Sequence, residues 1–153
     1  GHFFFLSHCK TDAGTEAALM RQELEQLIEQ DPASAGRNLA VPVFLDSENL
    51  QNLLEIKAAV VRSHNLVLLL TTHVLSRPWV LVEIVTAIQH KIRVIPVLVS
   101  KPDSQFDFPG DEFYQNLLHG RLLDRQATKV LWDEGITLPQ VASSLREVFL
   151  RIA

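Results

Sequence analysis

The sequence has little that would link it to disulfide bonding, to nucleic acid or to a membrane. Cys9 is its single cysteine, so no disulfide can form within the chain, and a reducing, cytoplasmic location is expected. No run of Lys or Arg occurs and the formal net charge is −4, which argues against nucleic acid or an anionic membrane as the main partner. The longest unbroken apolar run, residues 66–70, is far too short to cross a bilayer.

Familiar binding and catalytic motifs are also absent from the sequence. Neither Gly-x-Gly-x-x-Gly nor Gly-x-x-x-x-Gly-Lys occurs, so a dinucleotide-binding turn and a P-loop are both unsupported. A receiver domain would need an acidic pair after its first strand, where this chain has Ser7, His8 and Cys9. His8 and Cys9 are adjacent, so their side chains point apart in an extended loop, which disfavours a thiol nucleophile. The six histidines lack metal-ligand spacing, so we predict no metal and no cofactor.

The apolar content of the sequence is sufficient for one folded domain. Hydrophobic residues make up 47% of the 153 positions and charged residues 21%, which is typical of a globular protein with a sizeable core. The chain begins at Gly1 without a signal peptide. We therefore expect a single domain over residues 1–153, excised from a larger protein.

Short apolar runs alternate with amphipathic helices along the chain. The runs predicted as strands are residues 3–6, 40–45, 65–70, 92–99 and 129–132. Pro42 places the second strand at a sheet edge, because proline cannot donate to a neighbouring strand. Together these features predict an α/β fold, a flavodoxin-like doubly wound five-stranded parallel sheet of order 2-1-3-4-5 with helices on both faces. Pro96 in the fourth strand conflicts with the interior position that this order requires.

In such a sheet, ligands bind in the crevice at the carboxyl ends of the strands. The residues that this edge gathers are Ser7, His8 and Lys10 from the first loop, Asp46 from the second, and residues 72–79 from the third. The helix after the third strand begins beside them. The topology therefore predicts a polar site at this edge.

Glu83 has an unusual setting in that helix. Pro78 suits the first helical turn, where its missing N–H has no intrahelical partner to lose. Trp79 and Glu83 are four residues apart and lie on one face of the helix. The next position on that face is Ala87, so no Lys or Arg is placed there to pair with the carboxylate. The pattern places Glu83 among apolar neighbours beside an aromatic ring.

Two motifs resemble those of Toll/interleukin-receptor (TIR) domains. Phe-Leu-Ser at residues 5–7 resembles the opening strand and loop of the family. The Trp-x-x-x-Glu pattern ending at Glu83, followed by the strand at residues 92–99, resembles a later helix and strand of the branch that cleaves NAD⁺. The resemblance implies that Glu83 is the catalytic residue of an NAD⁺ glycohydrolase in immune or cell-death signalling. It also implies that NAD⁺ is a substrate and that activity requires self-association with other TIR domains, as a homo-oligomer or filament.

The same resemblance assigns roles to other residues. The residues that it places around the substrate are Ser7, His8, Lys10, Phe44, Asp46, Ser76 and Trp79. The first three would hold the dinucleotide, whereas Phe44 and Trp79 would shape the nicotinamide side. Leu50, Leu53 and Leu54 lie in the segment that resembles the family's BB loop, and they form the predicted interaction surface.

One carboxylate is chemically sufficient for cleavage of NAD⁺. Nicotinamide is a cationic leaving group that departs neutral, so no general acid is required. The oxocarbenium-like ribose left behind is the charge that a fixed carboxylate can stabilise. The alternative is a non-catalytic TIR adaptor that acts through homotypic TIR–TIR interaction, and an unrelated flavodoxin-like binding protein is a third hypothesis. Whether the product would be ADP-ribose or a cyclic form is left open.

Overall fold

The computed structural model of the chain describes residues 1–45 and 53–150. The strands are β1 (His2–Ser7), β2 (Val43–Leu45), β3 (Ser63–Leu70) and β4 (Arg93–Leu98). The helices are α1 (Lys10–Gln30), α2 (Leu53–Val61), α3 (Pro78–Gln89), α4 (Asp111–Leu118), α5 (Arg125–Asp133) and α6 (Leu138–Leu150). Among these residues, no helix combines the length and the apolar character needed to cross a membrane.

The four strands form one parallel sheet in the order β2-β1-β3-β4. In the register of the sheet, Phe5 of β1 lies between Phe44 of β2 and Leu66 of β3. The prediction that the second strand lies at an edge is therefore confirmed. Pro42 immediately precedes β2, and its carbonyl accepts a hydrogen bond from the Phe3 N–H at 2.8 Å.

The predicted fifth strand is wrong, because residues 129–132 belong to helix α5. The Asp124 side chain starts this helix by accepting a hydrogen bond from the Ala127 N–H at 2.7 Å. Ala127 and Leu131 are buried and four residues apart, as the inner face of a helix requires. The helix ends before Gly135, whose φ of 70° is the left-handed conformation common after a helix.

Within the described residues the sheet has four strands rather than five, so β4 is an edge strand. This position removes the conflict raised by Pro96, which pairs in register with Leu68 of β3. An edge strand has one side without a neighbour, so it tolerates a residue that lacks an N–H donor. The order 2-1-3-4 agrees with the first four strands of the predicted order.

Helices cover both faces of the sheet, as predicted. On one face α1 packs over Leu6, Val67 and Leu69. On the other face α2 and α3 pack over the opposite side chains of the same strands, and α5 and α6 pack against α3. Alternation along each strand sends successive side chains to opposite faces, so Phe5 and Ser7 both point towards α3.

The sequence Thr-Leu-Pro-Gln at residues 137–140 predicts a capping box at the start of the last helix, and the structure confirms it. Thr137 Oγ1 accepts from the Gln140 N–H at 3.2 Å, and Gln140 Oε1 accepts from the Thr137 N–H at 2.8 Å. The sequence also predicts a short helix at residues 113–118, and these residues belong to α4.

The order in which the chain adds strands to the sheet changes direction between β1 and β3. From β1 the chain passes through α1 to β2 on one side, and from β3 it passes through α3 to β4 on the other side. The helices that follow these two central strands lie on opposite faces. A crevice at their carboxyl ends is the usual ligand position in an open α/β sheet.

Candidate active site at the carboxyl ends of the strands

The central feature of the site is a hydrogen bond between Ser7 and Glu83. Ser7 is the last residue of β1, and its Oγ donates to Glu83 Oε1 at 3.0 Å. The two residues are 76 positions apart in the sequence, and both side chains are buried. The alternation of β1 aims Ser7 at α3, and the second turn of α3 carries Glu83 to meet it.

The surroundings of Glu83 are apolar. Glu83 is only 2% exposed, and its neighbours Val80 and Ile84 on α3 are also buried. Trp79, one helical turn earlier on the same face, is 38% exposed. This face of α3 therefore runs from the protein surface at Trp79 into a dry interior at Glu83. A carboxylate in such a setting depends on hydrogen bonds such as the one from Ser7, because burial of an uncompensated charge is unfavourable.

His8 and Lys10 follow Ser7 in the first loop. His8 is buried, whereas Lys10 is half-buried at the start of α1. Burial lowers the pKa of His8, a backbone hydrogen bond with Leu6 partly opposes this effect, and the charge of Lys10 lowers the pKa further. The imidazole is therefore neutral at pH 7, when it can both donate and accept a hydrogen bond.

Of the residues predicted on the second strand and its loop, the structure describes the side chains of Phe44 and Leu54. Phe44 stacks on Phe5, with ring centroids 5.2 Å apart and the ring planes at 18°, so it packs against the core. Asp46 and Leu50 lie outside the described residues, and so does the side chain of Leu53. Leu54 lies near the start of α2 and is 72% exposed.

A second polar cluster joins the first turn of α1 to the loop after β3, and the sequence singled out neither Asp12 nor His73. The Asp12 carboxylate accepts three hydrogen bonds: from Thr71 Oγ1 at 3.0 Å, from the His73 N–H at 2.7 Å, and from His73 Nδ1 at 2.9 Å. Burial alone would raise the pKa of Asp12, but the bonds from His73 and Thr71 outweigh burial and hold the pKa below its ordinary value. The only sequence signal was the position of both residues after neighbouring central strands.

Two adjoining clefts open beside this cluster. The larger one, about 470 Å³, is lined by Thr11, His73, Ser76, Arg77, Leu122, Leu123 and Asp124. The smaller one, about 370 Å³, is lined by Ser76, Arg77, Pro78, Trp79, Asp124, Gln126, Ala127 and Val130. The structure thus brings the predicted residues Ser76 and Trp79 together along one groove, where Arg77 of the predicted segment 72–79 lines both clefts. It adds Asp124, which the sequence did not suggest.

The fold and the site define an α/β protein with a four-stranded parallel sheet and a buried Ser–Glu pair at its carboxyl edge. No protein-family model and no curated protein matches the chain. The similarity to TIR domains therefore stays a prediction that depends on the motifs at residues 5–7 and 79–83.

Proposed function

We propose that the chain is a TIR-domain NAD⁺ nucleosidase that cleaves the bond between nicotinamide and ribose, with Glu83 as its catalytic residue. The observation that carries the proposal is the 3.0 Å hydrogen bond from Ser7 Oγ to Glu83 Oε1. This bond holds a carboxylate in an apolar setting, at the sheet edge where ligands bind in open α/β folds. The pattern Trp-x-x-x-Glu supports the same assignment by resemblance.

The chemistry follows from the leaving group. Nicotinamide departs as a neutral molecule, so the reaction needs no proton donor, and positive charge develops on the ribose. A carboxylate oriented by Ser7 stabilises that charge, and low local polarity strengthens the attraction. Water then adds to the ribose carbon and loses a proton to give ADP-ribose, or the adenine of the same molecule adds and loses a proton to give the cyclic form. His8, neutral at pH 7, adds no competing positive charge and can bond to a ribose hydroxyl.

The burial of Glu83 bears on regulation. At 2% exposure the carboxylate is enclosed, so the substrate reaches it only after residues over it move. Contact with a neighbouring copy can supply that rearrangement. The burial of Glu83 therefore supports an activity that depends on self-association, and the setting that we propose for it is signalling within the cytoplasm. Leu54, exposed near the start of α2, is the described residue of the proposed interaction surface.

A second candidate function is a non-catalytic adaptor that acts through homotypic TIR–TIR contacts. The same burial favours it, because Ser7 and Glu83 would then serve as a structural tie between β1 and α3. In this case the exposed Leu54 would matter for assembly alone. The two functions differ in whether NAD⁺ is consumed.

The test is incubation of the concentrated protein with NAD⁺, followed by chromatographic measurement of nicotinamide and of the ADP-ribose product. The proposed enzyme releases nicotinamide slowly, in equal amount to the sum of linear and cyclic ADP-ribose. Release no faster than in protein-free buffer, at every protein concentration tested, contradicts the enzyme and supports the adaptor.

A further inference from the structure

The larger of the two clefts has the dimensions and lining of a small-molecule site. Its volume of about 470 Å³ lies within the range of known ligand pockets. Its lining is apolar at the half-buried Leu122 and the buried Leu123, and polar at the exposed His73. Such a cleft can offer both an apolar surface to a flat ring and hydrogen-bonding groups to a polar ligand.

His73 has a fixed hydrogen-bonding role in this cleft. Asp12 is ionised at neutral pH and can only accept, so Nδ1 of His73 is the donor of the 2.9 Å bond between them. In the neutral ring, Nε2 is then an acceptor, and the His73 side chain is 66% exposed. The pair therefore offers an oriented acceptor to a ligand hydroxyl.

Arg77 supplies a positive charge where the two clefts meet. Its side chain is exposed, and it forms no salt bridge with any residue in the described ranges. A guanidinium in this position suits a phosphate group, which it can bind through two parallel hydrogen bonds. Asp124 also lines both clefts, and its Oδ1 accepts a hydrogen bond from the Ala127 N–H. The carboxylate of Asp124 repels a free phosphate ion. Because it can still accept hydrogen bonds, it favours a phosphorylated ligand that also carries hydroxyl donors.

We propose that the larger cleft binds a nucleoside phosphate, with the base on Leu122 and Leu123, a ribose hydroxyl on His73 Nε2 and the phosphate on Arg77. Asp12 is a positioning residue that orients His73. The proposal builds on the function proposed above, because this cleft would take the adenosine half of NAD⁺ and leave the nicotinamide half beside Trp79. Binding of a mononucleotide at this cleft does not require that the protein cleave anything.

The test is a titration of the ¹⁵N-labelled protein with AMP, followed by the amide resonances, with adenosine and inorganic phosphate titrated separately. AMP shifts the amides of residues 73–77 and 122–124 in a saturable manner. Adenosine and phosphate each bind at least about tenfold more weakly, because each makes only part of the contacts. Equal shifts with phosphate alone would overturn the nucleoside assignment.

Variants separate this binding from a structural role. Arg77→Gln weakens the binding of AMP about tenfold, because one charge-assisted hydrogen bond is lost, and Arg77→Lys restores part of the affinity. Arg93→Gln, on the exposed edge strand β4, is the matched control and leaves AMP binding unchanged. Unchanged AMP affinity in Arg77→Gln would overturn the proposal, even in a protein that cleaves NAD⁺. Conversely, Arg77-dependent AMP binding without NAD⁺ cleavage would sustain this site and contradict the enzyme.

Discussion

At the scale of single residues, Ser7 and Glu83 are the contact on which the proposed chemistry depends. The hydroxyl of Ser7 donates to Oε1 of a carboxylate that is almost fully buried. A hydrogen bond to a buried charged group contributes more to stability than one between neutral groups, because the charge loses water on folding. The same bond fixes the carboxylate oxygen relative to the sheet edge.

Replacing Ser7 with Ala should therefore affect both stability and catalysis. We expect Ser7→Ala to lower the free energy of unfolding by about 2 kcal/mol, measured by urea denaturation, and to slow NAD⁺ cleavage. Ser143→Ala, at an exposed position of α6, is the control and should stay within about 0.5 kcal/mol of the wild type. Wild-type stability in Ser7→Ala would show that the contact is not formed in solution.

The lowered pKa of Asp12 makes the free energy of unfolding depend on pH in the acid range. Its pKa is lower in the folded chain than its ordinary value of 3.8, so the ionised carboxylate stabilises the fold above pH 3.8. That contribution disappears as the pH falls through the lower, folded-state pKa. We expect Asp12→Asn to be less stable than the wild type by about 1–3 kcal/mol at pH 7, with the difference closing below pH 3.8. Urea denaturation at several pH values measures it, and a difference that is constant with pH would contradict the assignment.

At the scale of elements, α6 shows what local sequence can predict. Thr137 and Gln140 form the reciprocal bonds of a capping box, and both the pattern and the contacts are local. The edge position of β2 was also predicted from a local feature, Pro42, although the structure begins the strand at Val43, one residue after the proline.

The capping box gives an element-scale prediction. Thr137→Ala removes the acceptor for the Gln140 N–H, so we expect the free energy of unfolding to fall by about 1 kcal/mol. The matched control is Thr15→Ala, at an exposed position inside α1, where alanine is a good helix former. Equal unfolding midpoints for Thr137→Ala and the wild type would show that the cap adds nothing to α6.

The fifth strand was predicted wrongly because a short apolar run is ambiguous. Residues 129–132 include three consecutive apolar residues, a short run that suits a strand or a helix equally. The helix becomes evident only when Asp124 is recognised as its N-cap and Leu131 is paired with Ala127. Trp132 on this helix is 77% exposed.

The candidate site was predictable only in part, for a physical reason. Ser7 and Glu83 each carried a local motif, and the parallel order of the strands brings them together. The bonds between Asp12 and His73 join the first turn of α1 to a loop 61 positions later, and neither residue belongs to a recognisable motif. Phe44 was placed in the site by resemblance, whereas side-chain alternation on β2 directs it onto Phe5.

At the scale of the whole molecule, the proposed enzyme should depend on contact between copies. The carboxylate of Glu83, the proposed catalytic residue, is enclosed, and an exposed leucine lies on α2 near the start of that helix. We expect nicotinamide release per molecule to rise with protein concentration, and we expect Leu54→Asp to lower it while circular dichroism shows an intact fold. A charge at an exposed apolar contact opposes association because it must be desolvated.

The control for this prediction is Leu19→Asp, an exposed leucine on α1 on the other face of the sheet. It should leave both the rate and its dependence on concentration unchanged. A rate per molecule that stays constant over a hundredfold dilution would exclude activation by self-association.

The most direct test of the proposed function compares nicotinamide release by the wild type, Glu83→Gln and Glu112→Gln at one high protein concentration. Glutamine keeps the shape of the buried side chain and removes its charge, whereas Glu112 is exposed on α4 and serves as the control. The wild type and Glu112→Gln should release nicotinamide at equal rates, and folded Glu83→Gln at a rate at least about a hundredfold lower. Release by folded Glu83→Gln at the wild-type rate would contradict the assignment of Glu83 as the catalytic residue.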